Sequence, residues 1–365
     1  MLAPRIPAIK ANLELGDGAL GAALTGFAAG LFAGTRVAAL LVDRFGSKRS
    51  VQVGLPLFAI CLAGPGLADD LATLTIALVP LGIASGLVDV AMNGQAVEVE
   101  RALGRPVMSS FHGFWSAGIL ASSGVASGLA AAGVSVWANL VAAAGILTVL
   151  SLFAPLGLLP GTTGTRRAEK RRRRLALTVL ALGVIGFCSF LGEGAAADWS
   201  GVYAHEDAGA SAGLAAFAFT AFAVGMVLAR FCADRLSARF GPVAIVRAGG
   251  LLAGVGLTLG LAIVEVPVVL VAFALLGLGL APIVPIVFSA AGNLGGGAQA
   301  LGWVVTMSYV GVVLGPAVIG AVAHGVGLRL GLVIPAVLSL VAAAMAGFTR
   351  TAAGAEPAAP QPPIP

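Results

Sequence analysis

Long apolar segments recur along almost the whole chain, and they constrain its fold more than any other feature. A helix that crosses a bilayer needs about 20 apolar residues, and eleven such segments can be drawn in the sequence. Only 10% of the residues are charged, against about 25% in soluble domains. Because such a chain could not cover its surface with polar groups in water, we predict an all-α polytopic membrane protein.

The predicted spans form two bundles separated by a basic segment. Residues 1–160 make an N-terminal bundle of about five helices, 161–174 a basic cytoplasmic linker, 175–349 a C-terminal bundle of six helices, and 350–365 a disordered cytoplasmic tail rich in Ala and Pro. The spans are 18–42, 51–68, 71–97, 107–132, 136–159, 175–203, 212–236, 243–264, 268–291, 298–322 and 328–348.

Lysine and arginine in the short loops predict the orientation of the chain. They follow alternate spans, whereas most acidic loop residues lie at the opposite ends of the spans. Since cytoplasmic loops carry the excess of Lys and Arg, we expect a multi-pass protein of the bacterial inner membrane, with its N-terminus outside and its C-terminus in the cytoplasm. The net charge of +5 arises from these loops, so we expect no nucleic-acid partner.

Short sequences recur in the same order in both halves, separated by 191 (234 − 43), 195 (276 − 81) and 193 (311 − 118) residues. The matched elements are Asp43-Arg44 with Asp234-Arg235, Leu81-Gly82 with Leu276-Gly277, and Gly118 with Gly311. Two similar halves joined by a linker are typical of secondary transporters. The counterpart of span 175–203 would begin before residue 1, so we predict that the first of twelve helices is missing from this sequence.

The loop after the first span combines an acidic residue with several basic ones, and a similar set occurs in the second half. The residues are Asp43, Arg44, Lys48 and Arg49, then Arg230, Asp234 and Arg235. A carboxylate and arginines at helix ends can form a charge-assisted network in one conformation and break it in another. We interpret these residues as a cytoplasmic gate; the alternative is a loop that only sets orientation.

Residues 43–49 (DRFGSKR) resemble the D-R-x-G-R-[KR] loop of the Major Facilitator Superfamily, although Ala39 and Arg230 stand where the family has a glycine. Residues 86–93 (GLVDVAMN), 109–113 (SSFHG) and 197–200 (ADWS) resemble its YbjJ-like and MosC-like bacterial branch. Residues 89–93 and 285–289 are more distantly similar to the fucose permease group of proton–sugar symporters. The resemblance implies two pseudo-symmetric helical bundles, a small-molecule substrate, protons as the coupling ion, and a monomer in the lipid bilayer.

Two carboxylates, Asp89 and Glu193, each lie about 18 residues inside a predicted span. A charge at membrane depth costs about 2.5–3.5 kcal/mol, so we expect both to face a cavity or a partner. Asn93 follows Asp89 by one turn and shares its face. We predict that all three bind substrate or protons. By the resemblance to fucose permease, the helix-four carboxylate that handles protons and sugar would be Asp89; the alternative is a hydrogen bond between helices.

Four further residues are predicted to line the site. His112 and Trp115 share a helix face three residues apart, while Asn293 and Tyr309 lie on later spans. Histidine titrates near neutral pH, and aromatic residues with a polar atom stack well on sugars and rings. The alternative for each is simple packing, or for His112 a gate.

The sequence carries no Walker loop, no metal-ligand spacing and no catalytic triad. We therefore predict no enzyme, cofactor or metal, and expect an ion gradient to supply the energy. The resulting hypothesis is a secondary active transporter of a small solute that works by alternating access and couples to protons. The fucose permease similarity favours a sugar or polyol. The alternatives are a proton-driven drug or metabolite exporter, and a non-transporting membrane sensor or inactive truncated transporter.

Overall fold

The computed structural model describes residues 2–161, 172–294 and 297–353. Most of the predicted linker at 161–174 and of the predicted tail at 350–365 lies outside these residues. Within the described ranges the chain is helical and contains no strand. Short 3₁₀ turns occur at Ala3–Arg5, Gly64–Gly66, Ala154–Gly157 and Ala346–Ala353.

Thirteen α-helices make up the described part of the chain. In order they are α1 (Ile6–Asn12), α2 (Asp17–Cys61), α3 (Leu71–Leu103), α4 (Met108–Ala131), α5 (Val136–Phe153), α6 (Arg172–Glu206), α7 (Ala212–Phe240), α8 (Pro242–Ala262), α9 (Val266–Leu280), α10 (Ile283–Gly292), α11 (Gly297–Val326), α12 (Leu328–Gly331) and α13 (Val333–Met345).

Ten helical stretches in the described residues are long and apolar enough to cross a membrane. Eleven spans were predicted, and the difference lies in α2, which contains the first two of them. Its 45 residues correspond to about 67 Å of helix, roughly twice the thickness of the bilayer's hydrocarbon core. The element bends at Gly46, where φ is 81° and ψ is 159°, so α2 is a pair of spans joined through a left-handed glycine.

The N-terminus of α3 is fixed by a reciprocal cap between Asp70 and Thr73. The backbone N–H of Thr73 donates to Asp70 Oδ1 at 2.7 Å, and the Thr73 hydroxyl accepts from the Asp70 N–H at 3.0 Å. These bonds satisfy backbone donors that the first turn leaves unpaired. The same Thr73 N–H holds the pKa of the exposed Asp70 carboxyl below its usual range.

The chain divides into two compact units, Met1–Glu98 with Phe114–Thr165 and Val99–Gly113 with Arg166–Pro365. Each unit contains helices that approach closely at glycine. In the first, a Cβ on Gly82 would overlap the carbonyl oxygen of Phe27; in the second, a Cβ on Gly277 would overlap that of Phe222. The two glycines are 195 residues apart (277 − 82), and so are the two phenylalanines that they approach (222 − 27). The internal repeat therefore extends to individual contacts.

The register of the repeat differs from the predicted one at the Asp-Arg sequences. Gly46 and Gly241 have nearly identical conformations, with φ of 81° and 82°, and each follows an arginine that lies over the ring of the next phenylalanine. These residues are also 195 apart (241 − 46). Pairing Asp43 with Asp234 at a separation of 191 is therefore wrong by about one helical turn, because the left-handed glycine rather than the aspartate marks the equivalent point.

The two units differ at α4 and α11. In the second unit α11 packs closely on α6, since a Cβ on Gly311 would overlap the carbonyl oxygen of Phe187 and lie 3.0 Å from the Leu191 nitrogen. On α4 a Cβ at Gly118, which the sequence pairs with Gly311, would meet no described heavy atom within 4 Å. In the most apolar 18-residue stretch of α4 only 6% of the residues are buried, whereas the share is 33% in that of α11. A helix corresponding to α6 is thus absent from the described residues of the first unit.

Candidate functional site

An ion pair between a buried arginine and a partly buried glutamate joins α6 to α7 in the second unit. Arg230 Nη2 lies 3.5 Å from Glu193 Oε2, and the two side chains are 8% and 21% exposed. The other carboxylate oxygen, Glu193 Oε1, is buried without a hydrogen-bond partner among the described residues. Glu193 therefore has one oxygen held by a cation and one that is available to a proton, water or ligand.

Aromatic rings extend from this ion pair across three further helices. Phe190 lies one turn before Glu193. The centroid of its ring is 5.1 Å from that of Tyr309 on α11 and 6.4 Å from that of Phe288 on α10. Phe288 also contacts the imidazole of His112 at 5.8 Å. The predicted residues His112, Glu193 and Tyr309 thus belong to one cluster of charged, polar and aromatic side chains.

The first unit holds the second predicted carboxylate. Asp89 and Asn93 are 8% and 2% exposed on α3. The Asn93 amide nitrogen donates to Asp89 Oδ1 at 3.2 Å and to the Asp89 carbonyl oxygen at 2.8 Å. This carboxylate–amide pair lies on one helix face, as the spacing predicts, and the Asn93 amide N–H groups are directed to Asp89 itself.

The N-terminus of α4 is held by two carboxylates of the second unit. Asp234 accepts the N–H groups of Ser109 at 2.9 Å and Ser110 at 2.7 Å. Glu100 accepts those of Val107 and Met108, each at 2.9 Å. A third hydrogen bond to Glu100 comes from the hydroxyl of Ser289 on α10. Together these carboxylates satisfy four backbone donors at the positive end of the α4 dipole.

This arrangement changes the predicted gate. The partners of Asp234 here are backbone amides rather than loop arginines, because the N-terminus of α4 presents several unsatisfied N–H groups. Arg230, which we assigned to the gate, forms the ion pair with Glu193 and so belongs to the candidate site. Asp43 is half-buried, whereas Arg44, Arg49 and Arg235 are exposed. Lys48 donates to the carbonyl oxygen of Leu158 at 2.9 Å.

Asn293 and Trp115 do not join the aromatic cluster. Asn293 caps the end of α10: its Oδ1 accepts from Arg101 Nε at 2.8 Å and its Nδ2 donates to the Ser289 carbonyl at 2.9 Å. Both ends of its amide are engaged in these bonds, and its assignment to the substrate site stays a prediction. Trp115 is 43% exposed on the first-unit part of α4, while His112 belongs to the second unit.

Three residues of these clusters were not predicted. Phe190 and Phe288 are ordinary apolar residues in sequence, and only the packing of α6, α10 and α11 brings their rings together. Glu100 had a weak signal, because it is an acidic residue near the end of a span with a helix start a few residues later. Nothing in one sequence identifies which backbone amides it accepts.

Known proteins resemble this chain over nearly its whole length. The family model of the Major Facilitator Superfamily matches it twice, over residues 1–185 and 182–365. An uncharacterized transporter, y4wD of Sinorhizobium fredii, is 33% identical over 351 residues, 94% of this chain and 92% of the relative. The membrane protein MosC of Rhizobium meliloti is 33% identical over 359 residues, 96% of this chain and 87% of the relative.

Solved structures give the same fold. The transporter FucP in an outward conformation superposes with a TM-score of 0.81 at 19% identity, covering 95% of this chain and 93% of that one. The proton:xylose symporter XylE gives 0.75 at 15% identity, covering 94% and 90%. This chain therefore belongs to the Major Facilitator Superfamily and is a multi-pass membrane transporter rather than an enzyme. The predicted fold class and the resemblance to MosC are confirmed.

Proposed function

We propose that this protein is a proton-coupled secondary transporter that moves a small sugar-like or polyol-like solute by alternating access. The observation that carries the proposal is the ion pair of Glu193 and Arg230, in which one carboxylate oxygen has no partner in the described residues. A carboxylate at membrane depth is costly and is retained where it handles an ion or a substrate.

The ion pair suggests how a proton controls substrate binding. While Glu193 is ionised, it attracts the Arg230 guanidinium across 3.5 Å. When Glu193 Oε1 takes up a proton, that attraction falls, and Arg230 is released to donate hydrogen bonds to a substrate oxygen. Binding of the proton and of the substrate then favour each other, which is the thermodynamic requirement for symport.

The substrate class rests on the rings beside the ion pair in the second unit. Flat apolar faces from Phe190 and Tyr309 suit a sugar or polyol ring, and the Arg230 guanidinium can donate to its oxygens. The binding role of Asp89 and Asn93 in the first unit is proposed separately, because a carboxylate and an amide suit hydroxyl groups. The fold supports this choice by analogy only: among the superposed structures are a fucose:proton symporter of E. coli and a proton:xylose symporter.

The remaining features follow from the sequence and the family. We propose the N-terminal and C-terminal bundles at 1–160 and 175–349 as the moving parts, with the charged residues around Asp43 and Asp234 as the cytoplasmic gate. The distribution of Lys and Arg supports a bacterial inner-membrane location, with the N-terminus of this chain outside and the C-terminus inside. A monomer is the expected state.

The test is uptake into proteoliposomes with an imposed inward proton gradient, using a panel of labelled sugars, polyols, amino acids and drugs. The wild type should accumulate one sugar or polyol. Glu193→Gln should lose accumulation yet still exchange labelled for unlabelled substrate. Glu206→Gln, at the exposed end of the same helix, is the matched control and should behave as the wild type.

Each alternative gives a different result in this assay. A proton-driven exporter would move a drug or metabolite in the direction opposite to the imposed proton gradient. A non-transporting sensor would move no compound of the panel. Accumulation by Glu193→Gln at the wild-type level would overturn the assignment of Glu193 as the coupling group.

A further inference from the structure

Two serines on α6 have buried hydroxyls that lack a partner. Ser189 and Ser200 are both 0% exposed, and neither Oγ makes a hydrogen bond to the described part of the chain. Two other buried serines in the second unit bond the carbonyl one turn back: Ser308 donates to Val304 at 2.8 Å and Ser339 to Pro335 at 2.7 Å. The two hydroxyls on α6 lack the bond that Ser308 and Ser339 make.

Ser189, Glu193 and Ser200 lie on one face of α6. At 100° per residue their directions agree within about 40°. With a rise of about 1.5 Å per residue, Ser200 is about 10 Å from Glu193 along the axis, and Ser189 about 6 Å from it on the other side. Glu193, whose Oε1 is also without a partner, lies between the two serines along the helix axis.

Small side chains follow Glu193 along α6, since residues 194–197 are Gly-Ala-Ala-Ala. The larger Asp198 and Trp199 lie about 160° and 100° around the helix from Ser200, so neither covers the line between Glu193 and Ser200. Ser200 is in turn about 9 Å from the end of the helix at Glu206. Buried polar groups without protein partners are satisfied by ordered water in folded proteins, because leaving them unpaired is costly.

We infer that this face of α6 binds a file of water that runs from the Glu206 end through Ser200 to Glu193 and Ser189. Its role as the route of the coupling proton rests on the proposed function, whereas its hydration does not. A proton entering at the Glu206 end is passed between hydrogen-bonded waters, each accepting one proton and giving up another, and ends on Glu193 Oε1. Ser200 is a positioning residue that orients the file and does not itself titrate.

Other polar groups near Glu193 come from the helices packed around it. Arg230 on α7 faces the opposite carboxylate oxygen. Tyr309 on α11 lies beyond the ring of Phe190, and His112 lies beyond the ring of Phe288. These groups set the charge around Glu193, whereas the serine line reaches it from along α6.

Cysteine accessibility tests the hydration directly. Cys61, Cys188 and Cys232 are free thiols and are first replaced by alanine. Single variants Ser189→Cys, Ser200→Cys and Ala195→Cys are then treated with a small water-soluble methanethiosulfonate. All three positions are 0% exposed, and Ala195 lies between the serines in depth but about 140° around the helix from Ser200.

We expect Ser189→Cys and Ser200→Cys to react at least about tenfold faster than Ala195→Cys, since thiol modification requires access to water. If only the depth along the helix mattered, the modification rate of Ala195→Cys would lie between those of Ser189→Cys and Ser200→Cys. Equal rates at all three positions, or a fastest reaction at Ala195→Cys, would overturn the water file.

Proton transfer is tested separately with Ser200→Ala and Ser200→Thr. Proton-driven uptake by Ser200→Ala should be slowed about tenfold, within the range seen for proton-transfer groups, while substrate exchange without a gradient continues. Ser200→Thr keeps the hydroxyl and should restore the rate. Wild-type proton-driven uptake by Ser200→Ala contradicts the route. If Glu193→Gln remains coupled, the proposed function fails, and the labelling pattern still decides the hydration.

Discussion

Replacing Gly311 by alanine tests the close packing of α6 and α11. The new Cβ would overlap the carbonyl oxygen of Phe187 and lie 3.0 Å from the Leu191 nitrogen. Both obstacles are backbone atoms, so the two helices must move apart. Overpacking of this kind costs about 1–3 kcal/mol, and the better helix propensity of alanine returns up to about 1 kcal/mol. We expect a net loss of about 1–2 kcal/mol.

Gly118→Ala, on α4 in the first unit, is the control substitution. A Cβ there meets no described heavy atom within 4 Å, so only helix propensity acts, and the variant should be neutral or more stable by up to about 1 kcal/mol. Both free energies are measured by reversible unfolding in mixed detergent micelles. Equal effects of the two substitutions would refute the claim that α11 has a close helical partner that α4 lacks.

Three further substitutions test individual contacts. Arg230→Met should destabilise the fold by about 3–5 kcal/mol at neutral pH, since it leaves Glu193 as an uncompensated charge; adding Glu193→Gln should recover most of the loss in the same unfolding assay. Asp234→Asn removes the negative charge at the start of α4 and should destabilise this helix end by about 1 kcal/mol. The amide hydrogens of residues 108–111 should then exchange faster, whereas Arg235→Gln should leave their exchange rates unchanged. Asp70 has a lowered pKa, so its contribution to stability is present above the unfolded-state pKa of about 3.9 and is lost as the pH falls through the folded-state pKa. Melting temperatures should show that the wild type loses its advantage over Asp70→Asn in this pH range. A constant difference between the two melting temperatures would count against the cap.

Membrane spans and the depth of Glu193 and Asp89 are predictable from one sequence, because hydropathy is summed over about 20 residues and a charge within such a segment is conspicuous. The continuity of α2 through the loop at Gly46 was not predictable, because the conformation of this glycine depends on packing as well as on sequence. The shared helix face of Asp89 and Asn93 was predicted, because the two residues are four apart on one helix.

Contacts between helices are where the sequence was insufficient. Arg230 was assigned to the gate from its distance to Asp234 along α7, yet the structure brings it to Glu193 on another helix. Asp234 likewise bonds amides 124 and 125 residues away. Periodicity identifies residues that share a face of one helix, but it contains no information on which helix that face meets.

Substrate-evoked proton movement is the most direct test of proton coupling through Glu193. Proteoliposomes in weak buffer, with equal pH on both sides, receive an inward gradient of the sugar or polyol found in the uptake panel, and the external pH is recorded. The wild type and Glu206→Gln should make the outside alkaline as protons enter with the substrate. Glu193→Gln should show no pH change while still admitting substrate. An undiminished alkaline shift with Glu193→Gln, or substrate entry without any shift in the wild type, would contradict the account.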